Sequence, residues 1–227
     1  MAPRIKPTFV VVPGAHHSAW HFSFTTKYLE EAGYRVAALT LPCYGGDIAT
    51  YQYSDDLKAI RNVLERELER NDVILVMHSF GGFQGTEAVG EVLKSVAGKR
   101  KGRLVKLVYV TAFVPKIGGG LMLTGEPELR PLMKPQDGVL YTHRPIEFFY
   151  HDVPLPLAAS AVEHLKIMPA QAAGLSVTYE PWRDVPAAYV FCSEDKAIRL
   201  SEQEMMVRET GEDRFEKYTL QCSHSPF

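Results

Sequence analysis

The sequence is poor in cysteine, with three in 227 residues, at Cys43, Cys192 and Cys222. They are far apart and odd in number, so neither a disulfide framework nor a zinc-ligand spacing emerges, and a reducing, cytoplasmic location is expected. Long apolar runs are missing too. None approaches the roughly 20 residues of a membrane span. The opening Met1-Ala-Pro-Arg-Ile-Lys-Pro7 is too short and polar for a signal peptide and reads as a tail over 1–7. There is no Asn-x-Ser/Thr sequon. Charge of one sign is also lacking: 25 basic residues face 27 acidic ones, for a net −2. Nothing in that balance draws nucleic acid or an anionic membrane. The basic run Gly98-Lys-Arg-Lys-Gly-Arg103 reads as a solvated turn. No internal repeat or low-complexity tract is present, and no spacing calls for a metal or an organic cofactor.

What is present is enough apolar sequence, 46%, for one sizeable core. Thr8-Phe-Val-Val-Val12 is a run of strand formers ended by Pro13-Gly14, as in a strand buried on both faces. Ala19 to Ala32 reads as a helix with Trp20, Phe24, Tyr28 and Leu29 on one face and Gly33 at its C-terminal cap. Tyr34 to Leu41 reads as the next strand, and Pro42-Cys-Tyr-Gly-Gly46 breaks it. A helix with Ser54 as N-cap runs to about Arg70, its stripe formed by Leu57, Ile60, Leu64 and Leu68. Val73–Met77 is a strand, followed by a helix to about Ala97. Further strands are expected over Leu104–Val110, Ala187–Cys192 and Phe215–Leu220, with a helix over Ser201–Glu209. This alternation predicts an α/β fold: a doubly wound, mostly parallel sheet of about six strands in a single domain over 1–227. The rhythm fails over 117–181, where glycines, prolines and short helix-like pieces without a good strand suggest a helical cap inserted between strands.

The chemistry gathers around Val73-Ile-Leu-Val-Met-His-Ser-Phe-Gly-Gly-Phe83. A buried strand that turns sharply into a helix holds the Ser79 hydroxyl at the tip of a bend, beside a helix N-terminus. The same residues also fit an ordinary βα turn capped by a serine. A serine hydroxyl needs a base, a group to orient that base, and donors for a developing oxyanion. In an open α/β sheet these should lie at strand C-termini. His224, four residues past Leu220, is the favoured base. Asp195, three past Cys192, is the favoured orienting acid, with Glu194 as the fallback. Loop 111–116 offers no acid. The backbone N–H groups of Phe80 and Ala15 are the expected oxyanion donors, with Gly14 allowing close approach. His16 and His17 could line the pocket, while His78 packs or positions. Met122, Phe149 and Trp182 are candidate substrate contacts within or beside the cap.

These pieces, in the order Ser79, Asp195, His224, resemble the α/β-hydrolase superfamily over nearly the whole chain. Pro13-Gly-Ala-His-His-Ser-Ala-Trp20 with His78-Ser-Phe-Gly-Gly82 is similar to the branch of plant methylesterases and hydroxynitrile lyases. That branch carries His-Gly-x-x-x-Gly-Ala-Trp and Gly-His-Ser-x-Gly-Gly. Pro13, Ser18 and Met77 depart from the pattern, and Met77 puts a side chain where a glycine keeps the bend clear. Thr178-Tyr-Glu-Pro-Trp182 and Ser223-His-Ser-Pro-Phe227 are similar to small microbial, often fungal, hydrolases, some linked to secondary metabolism. The resemblance implies esterase chemistry without metal or cofactor, in a monomer or homodimer acting on a small molecule. The expected substrate is a small to medium, mostly apolar ester, thioester or lactone. A lyase with a lysine near the pocket, a non-hydrolytic cyclase or isomerase, and a non-catalytic binding protein are the rival readings. Relatives also carry a final helix that braces the histidine loop. Here only three residues follow His224, so either the chain is truncated or its C-terminus is held some other way, and a frayed end would misplace the base.

Overall fold

The computed structural model describes residues 6–94, 101–119, 133–173 and 176–227. Among these, nine strands and six α-helices occur in chain order. They are β1 (Thr8–Val12), α1 (Ser23–Glu31), β2 (Arg35–Ala38), α2 (Tyr53–Leu68), β3 (Val73–His78), α3 (Gly81–Lys94) and β4 (Leu104–Val110). Next come β5 (Met133–Gln136), β6 (Val139–Thr142), α4 (Pro145–Phe149), α5 (Leu155–Glu163) and β7 (Met168–Pro169). β8 (Ala187–Cys192), α6 (Leu200–Gly211) and β9 (Phe215–Leu220) complete the set.

Six strands form one sheet in the order β2-β1-β3-β4-β8-β9, and every pairing is parallel. The β-branched and aliphatic runs of β1 and β3 lie at its centre, with helices packed on the sheet. From β1 the chain runs to one side for β2, then returns to the other side of β1 for β3. That reversal opens a crevice beyond the C-termini of β1 and β3, where such sheets gather ligands. The stripe of α2 is buried as its spacing requires. Its start differs: α2 begins at Tyr53, and the Asp55 carboxylate accepts the backbone N–H of Gln52 at 3.1 Å, which displaces Ser54 from the cap.

Three further expectations are corrected. α1 buries no side chain. Phe24 and Tyr28 face outward because the helix lies beside β2 at the sheet margin, and Trp20, in the 3-10 turn Ala19–Phe22 that precedes α1, stacks on His164 at 3.8 Å. Residues 117–181 do contain α4 and α5, but also a three-stranded antiparallel sheet, β5-β6-β7. Its hairpin turns at Asp137 (φ 51°) and Gly138 (φ 78°), the left-handed pair that an Asp-Gly step favours. Finally, Met77 does not obstruct the bend. Its fully buried side chain packs on α3 at Gly85, where an added Cβ would lie 2.5 Å from the Met77 sulfur and 2.7 Å from Cγ. The glycine that clears space for the bend has in effect moved from the strand to the facing helix.

That exchange is testable by urea unfolding. Gly85→Ala gains helix propensity but overpacks the site, and is expected to lose about 1–3 kcal/mol. Met77→Ala leaves a cavity and is expected to lose about 2–5 kcal/mol. In the double variant the new methyl enters the vacated space, so the losses should fall short of additive by about 1 kcal/mol or more. Strict additivity would show that the two side chains do not share one space.

Candidate active site

Ser79 follows the last residue of β3 and has φ 50°, a left-handed conformation that costs a non-glycine residue energy. The bend is held from several directions. Ser79 N–H donates to Val110 O at 3.3 Å, and Ser79 O accepts from Gly82 N–H (3.0 Å) and Phe113 N–H (3.1 Å). Three glycines let backbone close in around it. A Cβ on Gly14 would lie 2.6 Å from Ser79 Cβ, one on Gly81 2.5 Å from Pro13 O, and one on Gly82 2.0 Å from Phe113 O.

The loops after β3, β8 and β9 bring Ser79, Asp195 and His224 together. His224 Nε2 lies 2.9 Å from Ser79 Oγ, and His224 Nδ1 lies 2.7 Å from Asp195 Oδ2. A carboxylate only accepts, so the Nδ1 carries the proton and Nε2 presents its lone pair to the hydroxyl. Asp195 is itself held: Oδ1 accepts from Ala197 N–H at 2.7 Å and Ile198 N–H at 2.9 Å, and Oδ2 also accepts from the Thr111 hydroxyl. Glu194 instead accepts from Gln221 at 2.9 Å, away from His224. Ala15 and Phe80 flank Ser79 on the loop after β1 and at the start of the α3 turn. Neither N–H is donated to an acceptor among the described residues.

The other candidates divide. Gly14 lies against Ser79 and His78. Phe149 stacks on the His224 ring at 5.3 Å. His16 and His17 are 1% exposed and form a buried layer rather than an open wall. Trp182 belongs elsewhere. Its ring sits beside Tyr109 and Phe215 in the main core, which removes it from the set of substrate contacts. Met122 lies outside the described residues. Lys166, a cap lysine that the lyase reading would need near the pocket, is exposed.

The histidine loop is well braced. The Ser223 hydroxyl donates to Phe149 O at 3.0 Å, and Ser223 N–H donates to Asp152 at 2.7 Å. His78 Nε2–H donates to the His224 carbonyl at 2.9 Å, and Phe227 stacks on Phe22 at 4.1 Å. The C-terminus is thus held another way, by ties to the cap, to His78 and to the segment after β1. Thr111 and Asp152 carried no signal in the sequence, and Tyr150 and Ser223 none that pointed to these contacts, because such roles depend on which loops meet. His78 was marked only by its place beside Ser79.

The histidines form a chain of rings, His17 to His21 (4.7 Å), His17 to His78 (5.3 Å) and His78 to His224 (4.7 Å). Burial pushes His17 and His78 well below the usual histidine range, and neighbouring imidazoles push the same way. His16 and His21 are lowered by burial as well. Asp56, beneath the loop after β2, is raised by burial although Cys43 N–H, Tyr51 and Gln84 donate to it.

The model of the "Alpha/beta hydrolase family" matches residues 9–227. The chain belongs to the α/β-hydrolase family. It is 25% identical over 233 residues to "Alpha/beta hydrolase nvfD" of Aspergillus novofumigatus, covering 98% of this chain and 91% of that one. It is 25% identical to "Methyl jasmonate esterase 1" of Vitis vinifera, covering 96% and 90%. The solved pyrethroid hydrolase of Sphingobium faniae JZ-2 has the same fold, with a TM-score of 0.78 at 22% identity over 97% of this chain and 90% of that one. Esterases and hydrolases are thus among the proteins it resembles.

The neutral histidines carry a pH prediction. An unfolded imidazole takes up a proton near pH 6.5, whereas these buried rings do so only at lower pH. As pH falls through about 6.5 the unfolded chain gains protons that the folded one refuses, so stability present above that value is lost below it. Asp56, with its raised pKa, acts in the opposite direction at lower pH still. The thermal midpoint is expected to drop between about pH 7.5 and about pH 5.5. A flat or rising midpoint across that window would contradict the burial of neutral rings.

Proposed function

We propose that the protein is a serine hydrolase that cleaves a small to medium, mostly apolar ester, thioester or lactone through an acyl-enzyme. The observation that carries this reading is the unbroken line Ser79 Oγ, His224 Nε2, His224 Nδ1, Asp195 Oδ2, with contacts of 2.9 and 2.7 Å. Ser79 Oγ attacks the substrate carbonyl while His224 Nε2 takes its proton. Asp195 holds the Nδ1 proton in place and stabilises the imidazolium that forms. The Ala15 and Phe80 N–H groups receive the developing oxyanion, aided by the N-terminus of α3. His224 then hands the proton to the leaving oxygen or sulfur. Water, deprotonated by the same nitrogen, attacks the acyl group and releases the acid and free Ser79.

The substrate class rests on the side chains described around Ser79, which are aromatic rings or imidazoles: Phe80, Phe149, His78 and His224. They favour an uncharged acyl group over a phosphorylated or multiply acidic one. The methyl jasmonate esterase and the pyrethroid hydrolase among the similar proteins are named for ester substrates of that kind.

A fluorophosphonate probe should add its mass to Ser79 of the wild-type protein, and turnover of p-nitrophenyl esters should be measurable. Ser79→Ala and His224→Ala are expected to lower kcat by about 10³ or more. Asp195→Asn is expected to lower it by about 10²–10⁴, through the wrong imidazole tautomer. Undiminished turnover by Ser79→Ala on every ester found would sink the acyl-enzyme reading.

A further inference from the structure

The loop after β1, which carries the Ala15 N–H, is tied to the cap as much as to the sheet. His16, held at φ 66°, exchanges two hydrogen bonds with Lys166. Lys166 N–H donates to His16 O at 2.8 Å, and His16 Nδ1–H donates to Lys166 O at 2.8 Å. His21 Nε2–H donates to Ala161 O at 3.1 Å. Residues 161 and 166 both belong to the inserted cap.

His17 has the most specific set of partners. Its Nδ1 lies 2.7 Å from the Ala15 carbonyl, which can only accept, so Nδ1 carries the proton. Nε2 then holds a lone pair, and the Tyr150 hydroxyl, 2.8 Å away at the end of α4, donates to it. The Ser225 hydroxyl stands 3.5 Å from the same nitrogen. Burial keeps the ring neutral, which preserves this one-way order from cap to loop. The backbone N–H of His17 donates to Gly14 O at 3.1 Å. One residue therefore holds two consecutive carbonyls, Gly14 O and Ala15 O. In a planar trans peptide the N–H points opposite the carbonyl, so the His17 backbone N–H on Gly14 O fixes the direction of the Ala15 N–H, and the Nδ1–H contact with Ala15 O holds His17 in the place from which that backbone N–H is donated.

We infer that His17 is a positioning residue that aims the Ala15 N–H at the oxyanion, and that the cap hydroxyl of Tyr150 holds His17 in the tautomer that does so. The inference rests on the serine-hydrolase reading and adds a function for the cap. In it the cap takes part in the transition-state site: losing the Tyr150 contact alone leaves the Ser223 ties and the Ser79 line intact but the oxyanion donor unaimed.

The test compares Tyr150→Phe, His17→Leu and His17→Asn with wild type. Each is assayed for kcat and KM on a p-nitrophenyl ester and for inhibition by a boronic acid that forms a tetrahedral adduct on Ser79. Tyr150→Phe should lower kcat about tenfold and His17→Leu about 10²-fold, with KM little changed, since removing an oxyanion donor outright costs about 10²–10³. Boronic acid affinity should fall in step with kcat, because the adduct needs the same donor. His17→Asn keeps an N–H near the Nδ1 position and should recover much of what His17→Leu loses. Where His17→Leu does not fold, Tyr150→Phe and His17→Asn carry the comparison. Unchanged kcat in Tyr150→Phe, or a rise in KM alone with boronic acid affinity intact, overturns the inference while leaving Ser79 as nucleophile. Failure of the fluorophosphonate to label wild-type Ser79 removes both readings together.

Discussion

The left-handed bend at Ser79 is the constraint on which the other parts depend. A serine at φ 50° relaxes to an ordinary turn unless its neighbours forbid it. Here the forbidding is done by backbone. The Ser79 carbonyl accepts two N–H groups, one from α3 and one from the loop after β4, and its own N–H is taken by Val110. Those contacts require β1, β3 and β4 to end level with one another, which the parallel register provides through pairs such as Val12 with Met77 and His78 with Val110. They also require three glycines, because Gly14, Gly81 and Gly82 each stand where a Cβ would strike the bend or the chain beside it. The strain at one residue is thus held by a whole sheet edge, and the hydroxyl gains a fixed direction rather than a rotamer ensemble.

His224 is held by a different logic. His224 lies on the loop beyond β9, whose strand buries only Phe215, so the sheet alone gives it little support. Its place is set by polar ties from both sides: Asp195 at Nδ1, His78 at its carbonyl, and Asp152 and Phe149 O at the preceding Ser223. Asp195 in turn accepts four hydrogen bonds, counting His224, Thr111, Ala197 and Ile198. A carboxylate so fully engaged has little freedom to swing away, and the imidazole it holds keeps one tautomer. The distance from Ser79 to His224 is then fixed by the meeting of three loops rather than by any one of them.

The fold was legible because strand formers, breaks and helix stripes repeat with the periods that a parallel α/β sheet demands. β4, β8 and β9 fall on the residues their composition marks. The cap was less legible. β5 and β6 are short and interrupted by Pro135, and the Asp137-Gly138 turn that joins them stands in a stretch whose other glycines and prolines suggested only loops. Burial on α1 was misjudged for a similar reason. Trp20, Phe24 and Tyr28 have helical spacing, but spacing cannot tell a helix above the sheet from one at its margin. In the site, the residues reached by counting from strand ends, Ser79, Asp195 and His224, do come together. Thr111, Tyr150 and Ser223 act through their contacts with those residues, and contacts between distant loops leave no local pattern to read.

The buried histidines connect these two logics. Four imidazoles, His21, His17, His78 and His224, follow one another within ring contact, and burial penalises a charged ring at the first three. A neutral imidazole carries one ring N–H and one lone pair, so each ring's tautomer follows from the partner it meets. His17 donates to the β1 loop and accepts from the cap; His78 donates to the His224 carbonyl. His17 thus orders the loop after β1 and His78 the backbone of His224, while ring packing rather than hydrogen bonding joins the two histidines. Apolar residues would fill the same space at lower desolvation cost, but they would align neither the Ala15 carbonyl nor the His224 backbone. The polar interior beside Ser79 thus serves the geometry of the site more than the stability of the fold.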